Sequence, residues 1–379
     1  MKRISWIPAV ISLVLLAGCV PKLNEETEEV VNEKNEEATI IIPNMQISDQ
    51  YYRTLLPYKK SVSRGLVVAR IYSSYDIKEV EGGLLRLSQR TFSPDDYFFQ
   101  EGQILDTDTL NEWLSRNKDE EEDKGLNPLL PGGEVTAESA KTAPIYLAHI
   151  IEQNFLVKTD ENKLRLSGIS IGLAMNSIYY YSLGDYGPYE QQIEQTAIAE
   201  NGKKMANEIV KRIRGMEGLE DIPITIGLFK QESRNSIVPG TYFAYSTAPK
   251  GKAGLADWTS INEEYVLFPQ PRSNEKYRDV NQSFENFKQD IEEYFPNYTS
   301  VIGTGFYQDD EIRSMTIDIP IQFYGAAELI GFTQYMTGIV MEHFPPSINI
   351  EVSVTSVNGP EALVIKEAGK SEPTVHIYN

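Results

Sequence analysis

The chain has 379 residues, enough to bury a core and to form two domains, and 55 acidic against 35 basic residues give it a formal charge of −20. That acidity repels nucleic acid and anionic headgroups, which argues against a polyanion partner. One cysteine excludes an intramolecular disulfide, and the 3 histidines share no metal-ligand spacing, so neither a metal nor another cofactor is expected.

The N-terminus reads as a signal. Lys2 and Arg3 form a basic start, and Ile7 to Leu16 form an apolar run too short to span a bilayer, which takes about 20 residues. Small Ala17 and Gly18 then precede Cys19, the form of a bacterial lipoprotein signal with cleavage between Gly18 and Cys19. A diacylglyceryl group on the Cys19 thiol, with its palmitate-like chains, would hold the chain to the outer face of the cytoplasmic membrane. An ordinary secretory signal that happens to carry a cysteine is the alternative. Residues 1–18 are thus expected to leave as a signal peptide.

Residues 19–40 read as an acidic, disordered tether, because seven glutamates lie between 20 and 40 with few large apolar residues. Stretched out, it would reach roughly 60–70 Å. A binding tail is the other reading. Order is expected from about Ile40, with a larger α+β domain over 41–265 and a smaller one over 275–379. Gly65 to Tyr72 reads as a strand, rich in β-formers. The spacing Thr109 to Glu112 predicts a helix start, with Leu110, Trp113 and Leu114 on its apolar face. A charge run over 118–124 and a loop at Pro131-Gly132-Gly133 follow, then a helix over about 143–154.

The remaining pattern suggests an internal duplication. A strand region over 164–182, a helix over 189–214 and strands over 222–230 and 240–246 form one strand-helix-strand-strand unit. A strand over 312–324, a helix over 325–343 and strands over 348–357 and 362–366, joined by the hairpin signal Asn358-Gly359, form the other. Coincidence is the alternative, since this order is common. Residues 248–280 read as a long ordered loop. The expected class is α+β, with mostly antiparallel sheets and helices on one face.

Chemistry is sparse. His149 and His343 fall on predicted helices and read as structural. Ser115 and Lys118 have the bare S-x-x-K spacing, but Lys141-Thr142-Ala143 lacks the glycine of its partner motif. Asp106 and Asp108 read as helix capping rather than a calcium loop. Gly303-Thr304-Gly305 lacks the third glycine of a dinucleotide fingerprint, and Asp309-Asp310-Glu311 reads as a hairpin tip. No catalytic residue is assigned. The unusual feature is 22 tyrosines. Tyr179, Tyr180 and Tyr181, with Tyr186 and Tyr189, could line a groove for a peptide or glycan, or could simply pack in a sheet. A binding module is therefore favoured over a cell-envelope hydrolase acting on wall peptide or glycan. The sequence carries no signal for oligomeric state.

Several stretches together resemble the CamS family, the sex-pheromone lipoproteins of Gram-positive bacteria. They are Leu16 to Cys19, Arg64-Gly65-Leu66, Asp76, Glu81 to Ser88, Tyr97 to Gln103 and Gly125-Leu126-Asn127-Pro128. The resemblance runs over nearly the whole chain. It implies that the released signal is trimmed to a short hydrophobic pheromone, here Ser12, Leu13, Val14, Leu15, Leu16, Ala17 and Gly18. It supplies no catalytic residue for the mature body.

Overall fold

The computed structural model describes residues 26–30, 38–42, 47–48, 51–118, 123–159, 163–294, 300–322 and 325–378. Cys19 and the candidate pheromone segment Ser12 to Gly18 lie outside them. In chain order the strands and helices begin with β1 (Glu26–Val30), β2 (Ala38–Ile42), β3 (Arg53–Thr54), α1 (Val62–Arg70), α2 (Ser74–Ser88), β4 (Phe98–Glu101) and α3 (Thr107–Leu114). There follow α4 (Ala137–Thr142), β5 (Leu147–Lys158), β6 (Lys163–Asn176), β7 (Ile178–Leu183), β8 (Tyr186–Gln192), α5 (Gln195–Arg214), β9 (Ile224–Gln231), β10 (Thr241–Ala248) and β11 (Thr259–Ser260). The last are β12 (Glu263–Phe268), α6 (Arg278–Tyr294), β13 (Ile302–Gln308), β14 (Glu311–Pro320), α7 (Ala326–His343), β15 (Asn349–Ser356), β16 (Gly359–Lys366) and β17 (Thr374–Ile377).

The described strands form two large sheets and one hairpin. A nine-stranded sheet runs β11-β10-β9-β6-β5-β4-β3, with β1 joining β6 and pairing β2; a six-stranded sheet runs β12 to β17 in order; β7 and β8 pair with each other. Most pairings are antiparallel, and the mixed α+β class holds. The two repeated units share one topology. In the first, an antiparallel hairpin β5-β6 leads through α5 to β9, parallel to β6, and then to antiparallel β10. In the second, β13-β14 leads through α7 to parallel β15 and antiparallel β16.

The helices cover the sheets differently. In the second sheet Met315, Ile317, Ile350, Val352 and Val364 meet Phe284, Phe287, Phe332 and Met336 of α6 and α7 in one core, as one-sided coverage requires. The nine-stranded sheet departs from that expectation, because helices lie on both of its faces. Ile151, Ala174, Phe229 and Tyr242 face α1 and α2, while Ile150, Ile171, Leu173, Ile226 and Leu228 face α3 and α5. The cause lies in β6. Its Ile169, Ile171, Leu173 and Met175 build one core, while small Ser170, Gly172 and Ala174 let α2 and Tyr242 come close on the other face. A Cβ on Gly172 would sit 2.4 Å from the Tyr242 hydroxyl oxygen.

Four local expectations are corrected. Residues 65–70 of the stretch read as a strand are helical, in α1: Ser61 caps α1 by accepting from the Arg64 N–H at 3.1 Å, and Val67 is buried while Val68 is exposed. The cap and one-sided burial outweigh β-propensity. The helix read over 143–154 is β5, whose residues from Leu147 to Leu156 are all buried between β4 and β6, so no alternation marks it. The strand region read over 164–182 stops at Asn176, and the helix read from 189 starts at Gln195, because residues 178–192 form a separate hairpin. The loop read over 248–280 contains β11, β12 and the first turn of α6, with β12 the edge strand of the second sheet.

Order also begins earlier than Ile40. β1 pairs antiparallel with β2 and parallel to the start of β6, with Glu29 opposite Lys163. Backbone pairing with β2 and β6 orders this acidic segment as a strand. Just past the read tether, Ile42 is buried against Leu55, Phe98, Leu156 and Leu164.

The two halves meet through a polar network. Arg86 on α2 reaches Glu79 at 2.6 Å and Glu263 on β12 at 3.1 Å, while its guanidinium lies 4.8 Å over the Phe306 ring. The Tyr265 hydroxyl donates to Glu79 at 2.7 Å, and the Gln308 amide donates to Glu263 at 3.2 Å. Burial opposes the Arg86 charge, but Glu79 and Glu263 outweigh it and raise its pKa. Burial pushes Glu263 upward in turn.

Candidate functional site at the ends of the parallel strands

The parallel pair β6 and β9 ends together, Asn176 beside Gln231. In sheets with parallel strands, this carboxyl end beside a crossover helix is where binding sites collect. Here a buried polar plug closes it. The Gln231 amide donates to the Asn176 side-chain oxygen at 2.6 Å, and Asn176 donates to the Ile145 carbonyl at 2.8 Å. Asp76, near the start of α2, accepts from the Gly240 N–H at 2.6 Å and from the Glu232 N–H at 3.2 Å. Burial raises the Asp76 pKa to about 6, against the lowering effect of those two N–H groups.

On this plug stands the β7–β8 hairpin, which carries all five tyrosines of the candidate groove. The strand period of 2 puts Tyr179 and Tyr181 on one face and Tyr180 on the other. Tyr181 lies opposite Tyr189. The Tyr179 and Tyr181 rings stack at 5.7 Å and 17°, and those of Tyr181 and Tyr189 at 5.6 Å and 29°. Arg116 closes the ladder, its guanidinium 5.7 Å from the Tyr179 centroid and itself held by the Pro128 and Ala143 carbonyls. On the opposite face, the Arg234 guanidinium lies 3.6 Å from the Tyr180 centroid, and Tyr72 meets Tyr180 edge-on at 4.9 Å. Tyr186, at the tip, is 75% exposed. A cleft of about 360 Å³ opens at the base, lined by Ser177, Gln192, Gln195, Lys230 and Glu232 among others.

The tyrosines therefore make a stacked arm rather than a groove between the repeats. Ring faces are used within the ladder, so the arm offers ring edges, hydroxyls and two arginines to a ligand. Arg116, Arg234 and Tyr72 were not singled out from the sequence; they lie far from residues 179–189 along the chain and share no motif with them.

The other candidates have structural places. Asp106 caps α3 by accepting from Thr109 N at 2.8 Å. Ser115 ends that helix with its hydroxyl on the Glu112 carbonyl at 2.7 Å, and Lys141 lies on α4. His149 is on β5, not a helix; its Nε2 bonds the Ser63 carbonyl at 2.9 Å, and burial lowers its pKa to about 4. His343 pairs with Asp290 at 2.6 Å and ties α7 to α6, while His376 lies on the edge strand β17. Gly303 and Gly305 are in β13, where a Cβ on Gly303 would meet Phe284 at 2.5 Å. Asp309 and Asp310 form the β13–β14 turn with φ of 55° and 63°. Among the described residues no group of three His, Cys, Asp or Glu side chains could hold a metal, and no helix is long and apolar enough to cross a membrane.

Fold and site together define a two-sheet α+β protein that presents an aromatic arm at one end of its longer sheet. The chain belongs to the CamS sex pheromone cAM373 precursor family, whose model matches residues 58–372. The sex pheromone precursor of Lactobacillus salivarius subsp. salivarius UCC118 is similar, with 29% identity and a TM-score of 0.82 over 90% of this chain and 99% of that one. The C-terminal domain of the staph-cAM373 precursor from Staphylococcus aureus is 34% identical, with a TM-score of 0.71 over 82% of this chain and 98% of that one. Comparison with curated proteins finds no match.

Several stretches that carried the resemblance are framework. Arg64 pairs with Glu101 at 3.0 Å. Gly83 faces Tyr242, and the buried Asn127 amide bridges the Leu114 and Leu147 carbonyls at 2.9 Å each.

Proposed function

We propose that this pheromone precursor is a lipid-anchored, extracytoplasmic protein with two separable products. The first is the signal fragment from Ser12 to Gly18, which has no charged side chain and three leucines and so suits an apolar receptor pocket. The second is the mature body, held at Cys19 by two acyl chains that keep it on its own cell. The body is a binding module whose tyrosine arm engages a peptide or glycan outside the membrane. The observation that carries the binding reading is the arm itself: it stands apart from both sheets and exposes Tyr186 and Tyr189, with Arg116 over Tyr179 at the other end of the ladder.

One experiment addresses the anchored products. Cells making the wild-type chain or Cys19→Ala are labelled with palmitate, and their supernatants are searched by mass spectrometry for peptides ending at Gly18. Label on the wild type alone, with the heptapeptide released and active in a mating-response assay, is the expected result. Equal labelling of both chains, or a response to the purified body and not to the peptide, would overturn the proposal.

A further inference from the structure

The registers give the molecule a direction. β1 runs parallel to β6, so Glu26, its first residue, lies toward the end at which β6 and β9 start. The tyrosine arm stands at the end where they finish, about 43 Å away along the 14 residues of β6. A cavity of about 760 Å³ opens at the starting end, around Pro223 and Ile224. Half-buried Tyr97, Tyr245 and Thr247 line it, and exposed Arg90, Lys250 and Asp257 stand at its rim.

Its chemistry runs against the rest of the surface. In a chain with 55 acidic residues, neither Arg90 nor Lys250 forms an ion pair among the described residues. Arg90 instead rests 5.2 Å over the Tyr245 ring, leaving its donors for a ligand, and Glu263 feels its charge only from beyond ion-pair distance. Two cations favour an anion, and an arginine fork suits phosphate. The lone carboxylate of Asp257 and the Thr247 hydroxyl call for hydroxyl groups on the same ligand. The Tyr97 ring adds apolar surface for the carbon side of a polyol. The volume lies within the range of small-molecule sites.

We infer that this cavity is a binding site for a polyol phosphate, the chemistry shared by a glycerophospholipid headgroup and a free glycerol or sugar phosphate. The overall negative charge slows the approach of an anion, so the two rim cations carry the local attraction. The headgroup source rests on the anchored reading above, which brings this end of the body toward the bilayer; the free source does not.

The test uses the full chain in nanodiscs of phosphatidylcholine, titrated with sn-glycerol 3-phosphate, glycerol and inorganic phosphate. Saturable binding of glycerol phosphate is expected, with the other two at least about tenfold weaker. Arg90→Gln and Lys250→Gln should each weaken it by about tenfold, as loss of a charge-assisted contact does. Lys250 is exposed, so its variant keeps the test valid should Arg90→Gln fold poorly. Discs of phosphatidylglycerol should compete more than discs of equally charged phosphatidylserine if the headgroup is the natural source; equal competition assigns the free polyol phosphate. No glycerol phosphate binding, or binding unchanged in both variants, overturns the site. Failure of anchoring would show separately, as chain that does not copurify with discs.

Discussion

Asp76 and His149 carry opposite titrations in the same half of the molecule. Burial raises Asp76 from 3.8 to about 6 and lowers His149 from 6.5 to about 4. The folded chain holds the Asp76 proton more tightly than the unfolded chain. That contribution to stability is full below about 3.8 and is lost as pH rises through 6. His149 behaves the other way: its contribution is full above 6.5 and is lost as pH falls toward 4. Asp76→Asn removes only the first effect. Urea unfolding should therefore show the wild type's advantage over Asp76→Asn shrinking by about 2 kcal/mol between pH 4 and pH 7. An advantage that stays constant across that range would mean Asp76 does not titrate there. The need for this carboxylate was not readable from its neighbours, because its partners Glu232 and Gly240 come from a loop far along the chain.

At the scale of elements, the hairpin β7–β8 depends on its own ladder. It pairs with neither large sheet, so its order rests on stacking, on Arg116 and on the Tyr72–Tyr180–Arg234 cluster. Tyr181→Ala removes two ring pairs worth about 0.5–1.5 kcal/mol each. Amide exchange in β7 and β8 should rise about tenfold or more, while global unfolding should change by less than about 1 kcal/mol. Affinity for a wall-derived peptide or glycan should fall with it. Unchanged exchange in the hairpin would show that the ladder does not hold it. The tyrosine cluster was legible as composition. Its shape was not, since Asn176 and Ser177, which end β6 and let the chain turn out, look unremarkable within a strand-like run.

The whole molecule is two similar sheet units joined by a charged contact. Arg86 neutralises two carboxylates, Glu79 and Glu263, that burial would otherwise make costly. Arg86→Met leaves both without their cation, and a loss on the order of 2–3 kcal/mol is expected, moderated because 35% of the Arg86 side chain reaches solvent. The halves should then part first. Calorimetry should resolve two transitions where the wild type shows more overlap, and proteolysis should quicken in the connection over 249–262. A single unshifted transition would place the coupling elsewhere.

Local chemistry by itself determined a good part of this protein. Asp106 as a cap, Asp309-Asp310 and Asn358-Gly359 as turns, the apolar face of Leu110, Trp113 and Leu114, and the doubled strand-helix-strand-strand order are all short-range features whose physics acts within a few residues. Family membership was legible for a related reason: buried Asn127 and the glycine at 83, packed against Tyr242, occupy places that admit few alternatives. Tertiary structure alone decided the rest. Residues 62–70 and 147–158 took the form opposite to their propensity, because burial on one side made the first a capped helix and burial on both sides made the second a central strand. It also placed Glu26, the start of β1, and the tyrosine arm toward opposite ends of β6, a relation set by long-range strand register rather than by local sequence.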